Sequence, residues 1–336
     1  MAVQEVVLNT KPAQPVPYNE AAVLKVLNES YLIADTKEDG VQLNLLVRND
    51  LGSAVVDFLS RAGKRLPALQ DAYRVALKSE LVFSKLLADD RCIYPDGFMV
   101  QAEIVTTGQP AEVTAGSLRR VANRLDLSTI EIHVFGVVPL DVVESGEDHD
   151  VTHGVMKYHV EAITALLQLH VPQIKWSAVE TIDVFTREEL QRVYEVRRAN
   201  GKEGLVLKDP NAIWKRGKKV GQWKMKPEES IDGKVVGLVW GTPGLGNEGK
   251  VIGFEVELED GHVVNACGLT EEQKTAFTEA VTGERIGDQF FPFTCPINVF
   301  EGWAVEVGYM ERFRDGSLRH PSYNRWRGIS DPLTKE

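Results

Sequence analysis

Tyr31-Leu-Ile-Ala-Asp-Thr-Lys37-Glu-Asp-Gly40-Val41-Gln-Leu-Asn-Leu-Leu-Val47 is the stretch on which the fold of this chain turns. An apolar run ends in a lysine, a tight Glu38-Asp39-Gly40 turn follows, and a second apolar run begins at Val41. The pattern predicts a buried strand over 31–37 and a returning strand over 41–47, and hence a hairpin. Lys37 stands at its mouth. A lysine is a nucleophile only as the neutral amine, and its ordinary pKa is about 10.4, so a site using one must supply neighbouring positive charge or desolvation. Taken alone, the tetrapeptide is also what a surface lysine in a turn would show.

Two other stretches have the residue types such a site needs. In Glu203-Gly-Leu-Val-Leu-Lys208-Asp209 the alternation reads as a short strand with a carboxylate at one end and a lysine at the other. A carboxylate there could hold magnesium, which prefers oxygen ligands. In Trp223-Lys224-Met225-Lys226 the two lysines are two apart in a strand and share one face. Two ammonium groups on one face call for an anion between them, and a nucleotide phosphate would serve. From Asn211 to Pro227 there is no acidic residue, while Lys215, Arg216, Lys218, Lys219, Lys224 and Lys226 all occur.

Around these stretches, Asn19 reads as the N-cap of a helix over 19–29, and helices follow near 66–76 and 79–89. Gly97–Val105, Ile130–Pro139 and Trp176–Val184 read as strands, and His153–His170 has helical periodicity. Thr186-Arg-Glu-Glu189 is a capping box opening a helix that ends near Gly201. After about residue 230 the character changes. Lys234–Trp240, Lys250–Glu257, His262–Ala266 and Trp303–Tyr309 read as strands between Gly- and Asn-rich turns, with one helix opened by Thr270-Glu-Glu-Gln273. That predicts a small closed barrel of the oligonucleotide-binding (OB) type. The fold class expected is α+β: antiparallel sheets and helices over 1–230, then the barrel over 231–336.

A chain of 336 residues, 43% hydrophobic, suits two domains. No run approaches the roughly 20 apolar residues of a membrane span, and the N-terminus has no basic-then-apolar secretion signal. Cys92, Cys267 and Cys295 are scattered and form no CxxC pair, so neither a disulfide framework nor a zinc site is indicated. The net charge of −11 argues only weakly against nucleic acid, because a locally basic groove can sit on an acidic chain.

The three chemistry-bearing stretches occur in an order that resembles the nucleotidyltransferase superfamily of ATP-dependent DNA ligases, RNA ligases and mRNA capping enzymes. EGLVLKDPNAIWKRGKKVGQWKMKPE, then GLVWGTPGLGNEGKVIGFEVELEDG, then GSLRHPSYNRWRG are similar to the small DNA ligases of T-odd bacteriophages. The resemblance covers nearly the whole chain and is looser between 50 and 130. It implies an adenylation domain followed by an OB barrel. It implies an enzyme that takes AMP from ATP onto Lys37, passes it to a DNA 5′-phosphate and seals a nick when the 3′-hydroxyl displaces it. Magnesium, or manganese, would assist. The expected setting is a monomer, away from membranes, in the cytoplasm of a bacterium, infected if the chain is phage-encoded.

The remaining roles are implied motif by motif. Asp35 and Thr36 would line the adenine end, with Glu38 and Gln42 flanking the nucleotide. Arg61 stands where the family holds a nucleotide-contacting arginine. Glu103 matches a glutamate that binds the ribose or a metal, and Phe135 an aromatic that stacks on adenine. Lys218, Lys224 and Lys226 would grip phosphates, and Glu203 the catalytic metal. DNA contacts would come from Arg119, Arg120, Arg124, Lys215, Arg216, Lys219, Arg319, Arg325 and Arg327. Two departures stand out: Gln42 replaces the arginine of K-x-D-G-x-R, and Gln101-Ala102-Glu103 replaces D-G-E. RNA ligases and capping enzymes share the lysine and the basic strand, and a chain weakened by Gln42 and Gln101 could bind nicks without sealing them. Gly241–Lys250 looks like a phosphate loop but is followed by Val251 and an apparent strand, so a barrel turn is expected. Glu147–Asp150 with His153 reads as a solvated acidic loop rather than a metal cluster.

Overall fold

The computed structural model describes residues 6–109, 111–121, 125–227, 229–287, 289–313 and 315–327. The chain divides into two compact units, Met1–Lys226 and Pro227–Glu336. The boundary expected after residue 230 would cut the strand Glu229–Trp240, which lies wholly in the second unit.

The first unit holds two five-stranded sheets. In the first, the order is Ala13–Pro17, Gly217–Met225, Gly204–Lys208, Leu32–Lys37 and Thr181–Val184. In the second it is Ser53–Ser60, Val41–Asp50, Gly97–Thr106, Ile130–Pro139 and Lys175–Ala178. The expected hairpin over 31–47 is therefore corrected. Leu32–Lys37 pairs with strands 204–208 and 181–184, whereas Val41–Asp50 pairs with strands 53–60 and 97–106. Glu38–Gly40 is a crossover between sheets. Gly40 shows why it does not fold back: a Cβ there would lie 2.3 Å from the Ile104 carbonyl oxygen, so the turn packs directly onto the second sheet.

The stretch 176–184 is the second such crossover. It is two strands, Lys175–Ala178 in one sheet and Thr181–Val184 in the other, rather than one. The real hairpin is at Leu51-Gly52, where φ is 49° and 85° and two residues suffice to turn the chain; its second strand, Ser53–Ser60, was not anticipated. The helical stretch after it runs from Pro67 through Glu80, with a π turn at Tyr73–Leu77, and breaks at Leu81 (φ 53°) before Val82–Leu87.

Alternation along the first sheet separates its faces. Leu32, Ala34, Val184, Leu205, Leu207 and Trp223 are buried with Val23 of helix Glu20–Glu29 and Leu190 of helix Arg187–Ala199. Asn19 caps the first of these helices by accepting from the Ala22 amide at 2.9 Å. Thr186 accepts from the Glu189 amide, but the Glu189 carboxylate accepts from Phe185, one residue before the position a capping box requires. Asp35, Lys37, Val206, Lys208 and Lys224 occupy the opposite face by their strand register.

In the second unit Glu229–Trp240, Val251–Leu258, Val263–Cys267, Ser322–Trp326 and Ala304–Tyr309 close into a five-stranded barrel. The four expected strands are present; the fifth, Ser322–Trp326, closes the ring. Helix Glu271–Thr282 opens on the full capping box of Thr270 and Gln273. Phe254 sits fully buried among Phe277, Phe300, Tyr323 and Trp326, ring centroids 5.0–5.7 Å away. Gly241–Lys250 is a turn, and a strand rather than a helix follows it.

Candidate active site

Lys37 is the last residue of its strand and Glu203 the residue just before the neighbouring one. The backbone joins them, the Glu203 amide donating to the Lys37 carbonyl at 3.1 Å. The side chains meet as well: Lys37 Nζ donates to Glu203 Oε2 at 2.6 Å, with the two side chains 23% and 12% exposed. The pair is partly screened from water but open to a ligand.

Carboxylates surround this pair. Glu103, on the second sheet, has its carboxyl pushed up to about 7, first by burial. Glu203, Asp39 and Glu38 add to the rise, and Lys37 opposes it. Glu103 and Gln42 are cross-strand partners, and the Gln42 amide nitrogen is buried with no hydrogen-bond partner. Lys224 faces the same space. Its ammonium is depressed first by burial, then by Lys226, Lys218 and Lys37, with Glu203 pulling the other way. The structure thus brings Lys37, Glu203, Glu103, Lys218, Lys224 and Lys226 into one field of opposed charges. Among the described residues no group of three His, Cys, Asp or Glu is arranged to hold a metal. Glu103 and Glu203 are two carboxylates, the number with which magnesium is commonly bound when substrate phosphates complete its shell.

Two residues along from Lys37 on the same face, Asp35 is 4% exposed. Lys208 Nζ lies 2.6 Å from its Oδ2, and the Thr181 hydroxyl donates to its Oδ1 at 2.7 Å. Lys208 also donates to the Phe135 carbonyl at 3.2 Å. Phe135 is the extra residue of a bulge: Gln101 pairs with Gly136 and Ala102 with Val134. Bulges re-aim side chains beside sites, and Phe135, Asp35, Thr181 and Lys208 all line one cavity of about 310 Å³. Lys208 and Thr181 were not expected there. The sequence displayed Lys208 at a strand end without showing which carboxylate it would meet.

Several expected site residues stand elsewhere. Thr36 is 2% exposed and its strand parity turns it to the opposite face, so its side chain does not line the cavity. Glu38 is held by Lys202, whose ammonium donates to both its oxygens at 2.8 Å. Arg61 lines a second cleft of about 340 Å³ with Lys11, Gln14 and Gly217, not the one containing Asp35. Arg216 is corrected from a DNA contact to a structural residue. It is 9% exposed, and its guanidinium donates to the carbonyls of Thr10, Val142, Val143 and Glu147.

Lys215, Lys218 and Lys219 are exposed, as are Arg119 and Arg120 at the end of helix Ala111–Arg119. Arg124 lies outside the described residues. In the barrel, Arg325 and Arg327 are ion-paired with Glu306, and Arg327 also with Asp232, while Arg319 is partly buried. In the acidic loop Glu147, Asp148 and Asp150 are exposed, but His149 and His153 are buried.

The ATP-dependent DNA ligase domain family matches residues 13–226, and the DNA ligase C-terminal domain family matches residues 227–327. The DNA ligase of Escherichia phage T7 is 41% identical over 357 residues, covering 96% of this chain and 98% of its own. The DNA ligase of Enterobacteria phage T3 is 40% identical over 356 residues, covering 97% and 98%. The solved structure of the ATP-dependent DNA ligase from bacteriophage T7 in complex with ATP aligns with a TM-score of 0.61 at 42% identity, covering 95% of this chain and 99% of that one. No helix among the described residues is long and apolar enough to cross a membrane.

Proposed function

The chain belongs to the ATP-dependent DNA ligases, and from that premise we propose that it seals nicks in duplex DNA through an adenylate carried on Lys37. The observation that carries this reading is the Lys37–Glu203 contact of 2.6 Å, set among Lys218, Lys224 and Lys226. Lys37 Nζ attacks the α-phosphorus of ATP; the new P–N bond forms as the bond to pyrophosphate breaks. Glu203 Oε2, already in contact, is the acceptor for the proton the amine must lose. A 5′-phosphate oxygen of the nick next attacks the adenylate phosphorus, and the P–N bond breaks as Lys37 regains its proton. The 3′-hydroxyl then attacks the 5′-phosphorus: the new O–P bond forms as the bond to AMP breaks, the hydroxyl proton passes to water, and the phosphodiester is complete. Division into activated steps through a covalent intermediate replaces one difficult condensation.

Lys218, Lys224 and Lys226 hold the polyphosphate, and positioning with charge neutralisation is most of what phosphoryl transfer asks of a protein. Glu103 and Glu203 would hold a magnesium or manganese ion, whose contribution is further neutralisation of phosphate charge. Because Lys37, Lys218, Lys224 and Lys226 share this space, phosphate oxygens of the bound nucleotide would have to complete the shell of such an ion. Asp35 and Phe135 receive the base. Lys215 and Lys219, with Arg119 and Arg120, contact the duplex backbone, which is enough for a substrate defined by a break rather than by sequence. The phage origin of two relatives supports the cytoplasm of an infected bacterium as its setting, and the chain acts there as a monomer in this reading.

The test is sealing of a nicked duplex with ATP and magnesium. Wild type joins the strands, and Lys37→Ala joins none while still binding the nick. Sealing by Lys37→Ala at the wild-type rate would refute the assignment.

A further inference from the structure

The cavity beside Asp35 and Phe135 has one wall to which no role has yet been given. His153, the first residue of helix His153–His170, lines it. The residue is 3% exposed, its Nδ1 has no hydrogen-bond partner, and none is found for its other ring nitrogen among the described residues. Its backbone is fixed instead, His153 N donating to the Ala212 carbonyl and Gly154 N to that of Pro210. A buried polar group left without a partner is unfavourable, and a ligand that hydrogen-bonds it relieves the penalty. Burial, with Lys208 beside it, brings the imidazole down to about 3. Near neutral pH the ring is uncharged, with one nitrogen to donate and one to accept.

The direction of the sheet indicates what would lie there. Lys37, Asp35 and Ile33 follow one another on one face of the strand, and residues two apart are separated by about 7 Å. With the α-phosphorus at Lys37, a nucleotide lying along this face has its ribose next and its base at Asp35 and beyond. The part of an adenine nucleotide farthest from the phosphate is the six-position edge of the base.

Building on the ligase reading, we propose that His153 reads the base: its imidazole hydrogen-bonds the six-position edge of adenine, next to Asp35, and helps select ATP over triphosphates with a different purine edge. The chemistry of the two groups is complementary. The Asp35 carboxylate, which already takes Lys208 and Thr181, has lone pairs left to accept from the six-amino group. A neutral imidazole nitrogen accepts the second amino hydrogen.

The experiment measures adenylate labelling against concentration for ATP, GTP and purine riboside triphosphate, which lacks the six-amino group. Wild type, His153→Phe and His153→Gln are compared. His153→Phe keeps an aromatic ring of similar size, and His153→Gln keeps a donor and an acceptor. The phenylalanine variant should need about 2- to 12-fold more ATP for half-maximal labelling, the value of one neutral hydrogen bond. Its maximal rate should stay near wild type, and its preference for ATP over purine riboside triphosphate should narrow by a similar factor. The glutamine variant should recover most of both. Equal weakening toward all three nucleotides, or an unchanged ATP dependence in the phenylalanine variant, would overturn the assignment of His153 while leaving the ligase reading intact. Wild type that never labels would overturn both.

Discussion

Replacing Arg216 by alanine should unfold the first unit more easily rather than loosen its grip on DNA. The guanidinium donates to the Glu147 carbonyl at 2.6 Å, Thr10 at 2.9 Å and Val143 at 3.1 Å, and also to Val142. It thereby ties the end of helix Leu140–Ser145 to the segment leading into strand Ala13–Pro17. Hydrogen bonds from a charged donor are worth about 1.5–3 kcal/mol each, but burying the guanidinium costs much of their sum. Removing one partner of a buried charged network typically costs about 3–5 kcal/mol, because the other groups are left unsatisfied. For a unit of this size that corresponds to a fall in melting temperature of about 6–20 °C. Scanning calorimetry of the full chain reads this directly, with Lys215→Ala as the control: its side chain is exposed, so it should melt as wild type. The control should instead bind nicked duplex with a salt slope smaller by about 0.9 if it contacts one phosphate. An Arg216→Ala protein that melts like wild type and binds DNA more weakly would refute the structural role.

Two further perturbations probe the site. Glu103 is protonated in both folded and unfolded chains below its ordinary 4.5, but between there and about 7 only the unfolded chain ionises, so wild type loses stability as pH rises through that window. Glu103→Gln escapes the loss. Its advantage in denaturant titrations should grow from nothing at about pH 4 to about 3 kcal/mol at about pH 8; a gap independent of pH would contradict the burial argument. Gly40→Ala places a methyl 2.3 Å from the Ile104 carbonyl oxygen and 2.9 Å from Val105 Cγ1. The crossover must then shift, costing about 1–3 kcal/mol and slowing labelling of the adjacent Lys37. Wild-type melting and labelling together would show that the contact is slack.

Strand periodicity made most elements legible, but periodicity says nothing about partners. The run ending at Lys37 and the run starting at Val41 each read correctly as strands, yet they belong to different sheets. Residues 176–184 read as one strand, whereas Val179 and Glu180 separate two strands that lie in different sheets. What decides it is the contact of Gly40 with Ile104, a residue far away in sequence. Charge was legible in a similar way. Lys37, Glu203 and Lys224 could be picked out as types at strand ends and found together. Arg216, one residue from the exposed Lys215, looked identical in sequence and proved buried, because its carbonyl partners come from a loop and a helix end. Thr36 was misplaced for a simpler reason, since strand parity sends it to the face opposite Asp35 and Lys37. His153 was legible only as a neighbour of the acidic stretch Glu147–Asp150 and read as solvated; its place beside Asp35 and Phe135 emerges only when the ring proves buried and its Nδ1 unpartnered.

Mass analysis of the chain after incubation with ATP and magnesium, followed by addition of nicked duplex, tests the central claim most directly. One adenylate should appear on the peptide containing Lys37, vanish when the nick is added, and never form in Lys37→Ala. An adenylate on any other residue, or one on Lys37 that nicked DNA does not discharge, would contradict the account.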